Sequence, residues 1–221
     1  MLRRLLWGDR DGPEAAGLWL VVGLGNPGRR YEGTYHNAGR RTVEAFVERR
    51  GSAGERWQEK YKGFTRRAAA GEAQVLALLP ETFMNLSGES AAAAARRLKV
   101  PPARIIVAHD DLDLEPGLVR VKLSGGTGGH KGIASCAALL GTGDFPRVRI
   151  GIGRDSAWDP ADYVLSRIRP EHEGALAEAF VRGAEAIEAV IRDGPAAAMN
   201  RYNKKQKTGE KTEDRRQETE E

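Results

Sequence analysis

The sequence LWLVVGL, residues 18–24, decides the fold that we predict for this chain. A continuous apolar run of this length that ends in glycines is typical of a β-strand buried on both faces, and such strands lie in the interior of parallel sheets. We therefore expect residues 18–24 to form the central strand of a sheet that is covered by helices.

Strand and helix patterns alternate along the rest of the chain. The predicted strands are residues 61–69, 73–79, 105–108, 118–123 and 148–153. The predicted helices follow Asn37 as far as Gly51, span 85–100, begin after a glycine-rich loop at 124–132, and span 170–192. This alternation predicts the α/β class, as a single domain with a twisted, mixed, mainly parallel sheet sandwiched by helices.

The length of 221 residues suits one domain. We interpret residues 1–17 as a flexible extension, 18–203 as the domain, and 204–221, which are charged and lack apolar residues, as a disordered tail. No apolar run reaches the roughly 20 residues of a membrane helix, and Gly8 and Asp9 interrupt the N-terminal one, so we expect neither a membrane span nor export. Cys136 is the single cysteine, as expected in a reducing cytoplasm.

Positive charge is concentrated in one part of the chain. The net charge is +4, and between residues 118 and 154 only Asp144 is acidic. The basic residues of this segment are Arg120, Lys122, Lys131, Arg147, Arg149 and Arg154. Such a run is commonly a solvated face, and it becomes a binding surface if the ligand is a polyanion.

The sequence GLGNPG, residues 23–28, matches the dinucleotide fingerprint G-x-G-x-x-G. That motif requires a helix to open on the glycines and an acidic residue to end a second strand about 20 residues later. Residues 29–34 show no helical period, and Glu44 and Glu48 lie within a predicted helix. We therefore interpret the glycines as a turn that exposes Asn26, and we expect no cofactor.

Three polar stretches lie at the ends of predicted elements, namely YHN at 35–37, FMN at 83–85 and HDD at 109–111. A histidine can take a proton from water at neutral pH, and a carboxylate on its other nitrogen fixes its tautomer. His36 and Asp110 are the candidates for such a pair. Asn26 and Asn85 are candidates for holding a carbonyl or a water.

Each of these assignments has a structural alternative. Asn37 and Asn85 are also suited to helix capping, and an aspartate such as Asp110 after a strand is common in turns. We interpret His109 and His172 as structural. The histidines lack the close spacing of a zinc site, so we expect no metal.

Taken together, the motifs resemble those of the bacterial peptidyl-tRNA hydrolases, over residues 18–203. The most specific are VVGLGNPG, HNAG, ETFMNLSG, VAHDDLDLEPG, GGTGGHKG and FPRVRIGIGR. The resemblance implies an α/β/α sandwich, a cytoplasmic monomer, no cofactor, and cleavage of the ester between peptide and tRNA. Two alternatives remain: a noncatalytic RNA-binding protein of the same fold, and a nucleotide-dependent oxidoreductase.

The resemblance also implies roles for individual residues. His36 corresponds to the catalytic histidine and Asp110 to its supporting carboxylate. The positions implied to bind substrate are Asn26, Tyr31, Met84, Asn85 and Lys131, and those implied to contact tRNA are Arg120, Lys122, Arg147 and Arg149. Lys131 departs from the family, which usually has asparagine there; a lysine only donates hydrogen bonds, whereas asparagine donates and accepts.

Overall fold

The computed structural model describes residues 17–52 and 54–204. Within them, seven strands form one sheet. In chain order they are β1 (Trp19–Gly23), β2 (Gln58–Lys60), β3 (Gly63–Ala70), β4 (Ala73–Pro80), β5 (Ile105–Asp111), β6 (Val119–Lys122) and β7 (Arg147–Gly151).

The strand order across the sheet is β2-β3-β4-β1-β5-β7-β6. The four inner strands β4, β1, β5 and β7 are parallel, and β1 lies in the middle as predicted from its apolar sequence. The strands outside them pair antiparallel, β2 with β3, β3 with β4, and β6 with β7. The sheet is therefore mixed, with its parallel part confined to the centre.

Helices cover both faces of the sheet. In chain order they are α1 (Ala38–Arg50), α2 (Ser87–Leu98), α3 (Lys131–Leu140), α4 (Pro160–Leu165), α5 (Pro170–Asp193) and α6 (Pro195–Tyr202). One apolar core joins α1, α5 and α6 to a face of the sheet, and a second core joins α2 and α3 to the other face. This arrangement is the α/β/α sandwich that the sequence and the resemblance predict.

Three elements have no counterpart in the sequence prediction. Strand β2 consists of three exposed polar residues, so it shows no apolar alternation. Helix α4 has six residues, too few to display a helical period. Helix α6 follows α5 after Gly194, whose φ of 86° breaks the helix, whereas the prediction stopped at residue 192.

Residues just before the end of the described chain cover one edge of the sheet. The side chain of Asn203 accepts a hydrogen bond from the Val121 N–H at 2.9 Å and donates one to the Val121 carbonyl at 2.8 Å. Arg120 of the same strand donates to the carbonyl of Tyr202 at 2.9 Å. Asn203 therefore occupies the place of a further strand beside β6.

The predicted tail except Lys204, and the N-terminal extension except Gly17, lie outside the described residues. None of the described helices combines the length and apolarity needed to cross a membrane. Cys136 is buried in α3, and burial raises the pKa of its thiol to about 12. This cysteine is thus a packed thiol, as its apolar neighbours in the sequence predict.

Candidate active site

A cleft of about 900 Å³ lies beside the carboxyl ends of β1 and β5. Ligands of parallel sheets bind at this end because the loops that follow the strands meet there. The three predicted polar stretches all contribute to its wall: His36 from a 3₁₀ turn at Tyr35–Asn37, Phe83 and its neighbours before α2, and Asp110 near the end of β5. The structure therefore brings residues of all three stretches to one cleft.

His36 and Asp110 form a buried pair in this cleft. The Nδ1 atom of His36 lies 3.0 Å from each carboxylate oxygen of Asp110, and the two residues are 8% and 2% exposed. Because a carboxylate accepts, Nδ1 carries the proton and Nε2 keeps a free lone pair. This is the tautomer required of a histidine that takes a proton from water.

His130 is a second imidazole on Asp110, which the sequence analysis missed. Its Nδ1 accepts hydrogen bonds from the backbone N–H groups of Gly132 and Ile133 at the start of α3. Its Nε2 must therefore carry the proton, and it donates to Asp110 Oδ1 at 2.9 Å. A histidine directly before a helix is a weak capping signal, and nothing in the sequence connects it with Asp110.

The electrostatics of Asp110 follow from these two partners. Burial alone would raise the pKa of its carboxyl, but the electrostatic attraction of the His36 and His130 rings and the hydrogen bonds that they donate outweigh it and hold the pKa well below its usual value. Neighbouring His109 donates from Nδ1 to the Asp110 backbone carbonyl at 2.7 Å. Burial, and secondly the electrostatic effect of the neighbouring His130 ring, lower the pKa of His109 well below its ordinary value. Asp110 is thus ionised at neutral pH.

Asn26 is buried in the cleft wall, so the expectation that the turn exposes it was wrong, and two neighbours fix it in place. Its side-chain oxygen accepts from the Met84 N–H at 2.8 Å, which leaves the Nδ2 donors of the amide without a partner among the described residues. Asn37 directly precedes α1, but its side chain does not make the predicted cap. Its amide instead accepts from the Asn26 N–H at 2.8 Å and donates to the Asn26 carbonyl at 3.1 Å.

The remaining predicted substrate residues also line the cleft. Asn85 is exposed and lies within a 3₁₀ turn, Met84–Leu86, so it does not cap α2. Met84 is buried and Tyr31 is half-buried. Lys131 is the first residue of α3, exposed, on the cleft wall beside His130. The structure thus brings all five substrate candidates to one site.

The four predicted tRNA contacts differ in their surroundings. Lys122 and Arg149 line the cleft, and Arg149 donates to Asp111 at 2.6 Å. Arg120 does not line the cleft, and its guanidinium donates a hydrogen bond to the carbonyl of Tyr202. Arg147 lines the cleft but is only 2% exposed, and its guanidinium is bound to backbone carbonyls.

One group of side chains in the described residues has the composition of a metal site. Ligand atoms of His36, Asp110 and His130 lie within 4.8 Å of one another. The hydrogen bonds from both rings to the carboxylate already require this proximity. The cluster therefore gives no separate indication of a metal. The search of the sequence for closely spaced metal ligands did not find this cluster, because its members come from three different parts of the chain.

The loop after β1 separates the glycines from any helix. The chain runs from Gly23 to Ala38 before α1 begins, so no helix N-terminus opens on the sequence GLGNPG. A Cβ added to Gly23 or Gly25 would lie 2.9–3.0 Å from residues of α1 or Asn37. These glycines allow close packing, and the dinucleotide interpretation has no structural support.

Comparison with known proteins gives a consistent result. The family model for peptidyl-tRNA hydrolase matches residues 20–210. A peptidyl-tRNA hydrolase of Symbiobacterium thermophilum is 50% identical over 186 residues, which is 83% of this chain and 98% of the relative. That of Chloroflexus aggregans is 45% identical over 188 residues, 84% of this chain and 99% of the relative.

The fold comparison agrees with the sequence comparison. The crystal structure of peptidyl-tRNA hydrolase from Acinetobacter baumannii superimposes with a TM-score of 0.78 at 31% sequence identity. The match covers 87% of this chain and 98% of that structure. The sequence motifs, the α/β/α sandwich with its cleft, and these matches over nearly the whole length of each relative show that the chain belongs to the peptidyl-tRNA hydrolase family.

Proposed function

We propose that the chain hydrolyses the ester between peptide and tRNA with His36 as general base and Asp110 as its supporting carboxylate. The observation that carries this assignment is the buried hydrogen bond of 3.0 Å from His36 Nδ1 to Asp110. It leaves His36 Nε2 as the basic atom, and His36 lines the cleft. A water held at Nε2 loses its proton as its oxygen attacks the ester carbonyl.

The carboxylate supports both stages of this proton transfer. Before attack it holds the ring in the tautomer with a free Nε2, and during attack it stabilises the imidazolium that forms. His130 donates to the same carboxylate and fixes its orientation. When the ester bond breaks, the imidazolium returns its proton to the ribose oxygen, so the products are a free peptide and a tRNA.

The asparagines and the cleft wall hold the peptide. The free Nδ2 donors of Asn26 can bind a peptide carbonyl, and exposed Asn85 offers both a donor and an acceptor. Tyr31 and Met84 provide apolar surface beside them. An aminoacyl-tRNA carries an ammonium where peptidyl-tRNA has an amide, and this unpaired charge would oppose its entry.

Lys122 and Arg149 supply charge for the tRNA backbone, since both face the cleft. Arg120 is engaged at the sheet edge and contributes less. Lys131 replaces an amide by an ammonium, so it favours a carbonyl or phosphate partner. The general base His36 and its partner Asp110 do not require an asparagine at position 131. Hydrolytic activity is therefore retained.

The test is the cleavage of N-acetyl-aminoacyl-tRNA compared with that of unblocked aminoacyl-tRNA. The wild type is expected to cleave the first preferentially, and His36→Asn to lose about 10²–10⁴ in rate without losing tRNA binding. His172→Asn is the matched control, since His172 bonds to Tyr35 outside the cleft. A protein that binds tRNA but cleaves neither substrate would be the noncatalytic alternative.

The proposal includes a monomer that acts in the cytoplasm, where peptidyl-tRNA is formed during translation. The residues of the proposed mechanism form a complete site within one chain, so the reaction does not require a second copy. Light scattering during size-exclusion chromatography gives the mass directly. A dimer with full activity would contradict this part of the proposal.

A further inference from the structure

Arg147 is the buried basic residue beside the cleft. Its guanidinium donates to the carbonyls of Gly125, Gly126 and Gly143 at 2.6, 2.7 and 3.0 Å. It also lies over the ring of Phe145, 4.9 Å from the centroid. Three carbonyls and an aromatic face surround the cation, so Arg147 is unsuited to direct contact with a phosphate.

These bonds orient the glycine loop, which we define as residues 125–129. In a trans peptide the N–H points opposite to the C=O of the same unit. The carbonyls of Gly125 and Gly126 point at Arg147, so the N–H groups of Gly126 and Thr127 point away from it. Among the described residues neither N–H has a hydrogen-bond partner, and both residues line the cleft.

Two lysines flank this row of amides. Lys122 ends β6 before the loop and Lys131 begins α3 after it, and both line the cleft. Within the described part of the chain neither forms an ion pair, whereas Arg149 and Arg154 each bind an aspartate. The amides of Gly126 and Thr127, between two free ammonium groups, form a positive surface, and four of the five loop residues are glycines, so only Thr127 adds a side chain there.

The position of the loop indicates which anion it would meet. The loop leads directly into His130, which bonds to Asp110, and the rings of His130 and His36 are 5.0 Å apart. A substrate with its ester at His36 would therefore place the nearest part of its tRNA against the loop. The nearest anion of that tRNA is the phosphodiester that joins its last two nucleotides.

We propose that the glycine loop, with Lys122 and Lys131, binds the 3′-terminal phosphodiester of the tRNA, and that Arg147 is a positioning residue that turns the loop amides toward it. This inference rests on the proposed function, because it takes the ester to lie at His36. It replaces the direct phosphate contact predicted for Arg147 from the sequence. Backbone amides and ammonium groups then share the charge of one phosphate.

The test uses fluorescence anisotropy to measure the binding of RNA minihelices that carry the tRNA 3′ end without an attached amino acid. One probe has a normal terminal phosphodiester and the other a neutral methylphosphonate at that linkage. The wild type should bind the neutral probe about tenfold more weakly, as expected for a lost charge-assisted hydrogen bond. Arg147→Lys keeps the positive charge but loses the planar guanidinium that binds several loop carbonyls at once. It should therefore weaken binding of the normal probe and scarcely change binding of the neutral probe.

The matched control is Arg192→Lys, the same change in α5, where Arg192 bonds to Glu188. It should leave both affinities unchanged. If Arg147→Lys weakened both probes equally, or if the wild type did not distinguish them, the phosphate site would be refuted. Because the probes carry no ester between a peptide and the terminal ribose, these results hold whether or not the protein hydrolyses peptidyl-tRNA.

A second variant covers the case in which Arg147→Lys does not fold. Lys131→Met changes an exposed side chain, so it should fold normally. The slope of log Kd against log salt for the normal probe should become shallower by about 0.7, the value for one phosphate contact on a single strand. The neutral probe should show no such change, and an equal change for both probes would again refute the site.

Discussion

Replacing Asp110 by asparagine removes the charge beside His36 and keeps the shape of the side chain. Oδ1 of Asp110 accepts from both His36 and His130, so the amide oxygen must take that place if both rings are to keep donating. The new NH₂ group then lies at the Oδ2 position, 3.0 Å from the His36 Nδ1–H, where two donors face each other. The variant therefore loses one hydrogen bond and the whole carboxylate charge.

The expected magnitude follows from the geometry of the pair. An imidazolium and a carboxylate whose charges lie about 4 Å apart attract by about 4 kcal/mol at an effective dielectric constant of about 20. Without that stabilisation the transition state rises by at most this amount, which is about 10³ in rate. The amide dipole retains part of it, so we expect Asp110→Asn to lower kcat by about 10²–10³.

The assay is single-turnover cleavage of N-acetyl-aminoacyl-tRNA at saturating enzyme, which isolates the chemical step. Asp111→Asn is the matched control, since Asp111 is the next residue of β5 and pairs with Arg149. It should alter KM and leave the cleavage rate nearly unchanged. A cleavage rate for Asp110→Asn within tenfold of the wild type, with a normal melting temperature, would refute the role assigned to the carboxylate.

Three further predictions concern stability and reactivity. The pKa of Cys136 is about 12, so native protein should not react with a thiol reagent at pH 8, and urea-unfolded protein should react at once. Burial keeps His109 uncharged in the folded protein, whereas in the unfolded chain this histidine takes up a proton below about pH 6.5. The free energy of unfolding should therefore fall with decreasing pH, by at most about 1.4 kcal/mol per pH unit. His109→Asn should flatten this slope in urea titrations. Gly39→Ala should destabilise by about 3 kcal/mol or more, because the new Cβ would lie 2.1 Å from the Ala108 carbonyl oxygen. Gly174→Ala meets open space in a helix and should stabilise by up to about 1 kcal/mol, so equal effects of the two alanines on urea unfolding would contradict the packing argument.

The sequence predicts the elements that bury a periodic apolar face. Strand β1 and helix α5 were predicted within two residues of their ends, because their apolar spacing reflects the core against which they pack. Strand β2 and helix α4 were not predicted, since each is too short for a period to be visible. Hydrogen bonding and neighbouring elements determine these short segments.

The site is predictable only where local sequence and chemistry coincide. His36 lies just before α1 and Asp110 lies near the end of β5, and these ends meet at the cleft, so their pairing could be expected. His130 could not be, because its contact with Asp110 depends on the path of the glycine loop. Arg147 looks like a surface cation in the sequence, yet the pairing of β7 with β5 and the loop carbonyls enclose it. Non-local contacts decide the roles of these two residues.

The amide of Asn203 has a consequence for the behaviour of the protein in concentrated solution. An open edge strand offers its N–H and C=O groups to any other chain, and is a starting point for aggregation. Asn203 occupies both groups of Val121 on β6, and the opposite edge, β2, is three residues long and carries Glu59 and Lys60. Truncation before Asn203 should therefore lower solubility as well as stability, because β6 would be left able to pair with a second molecule.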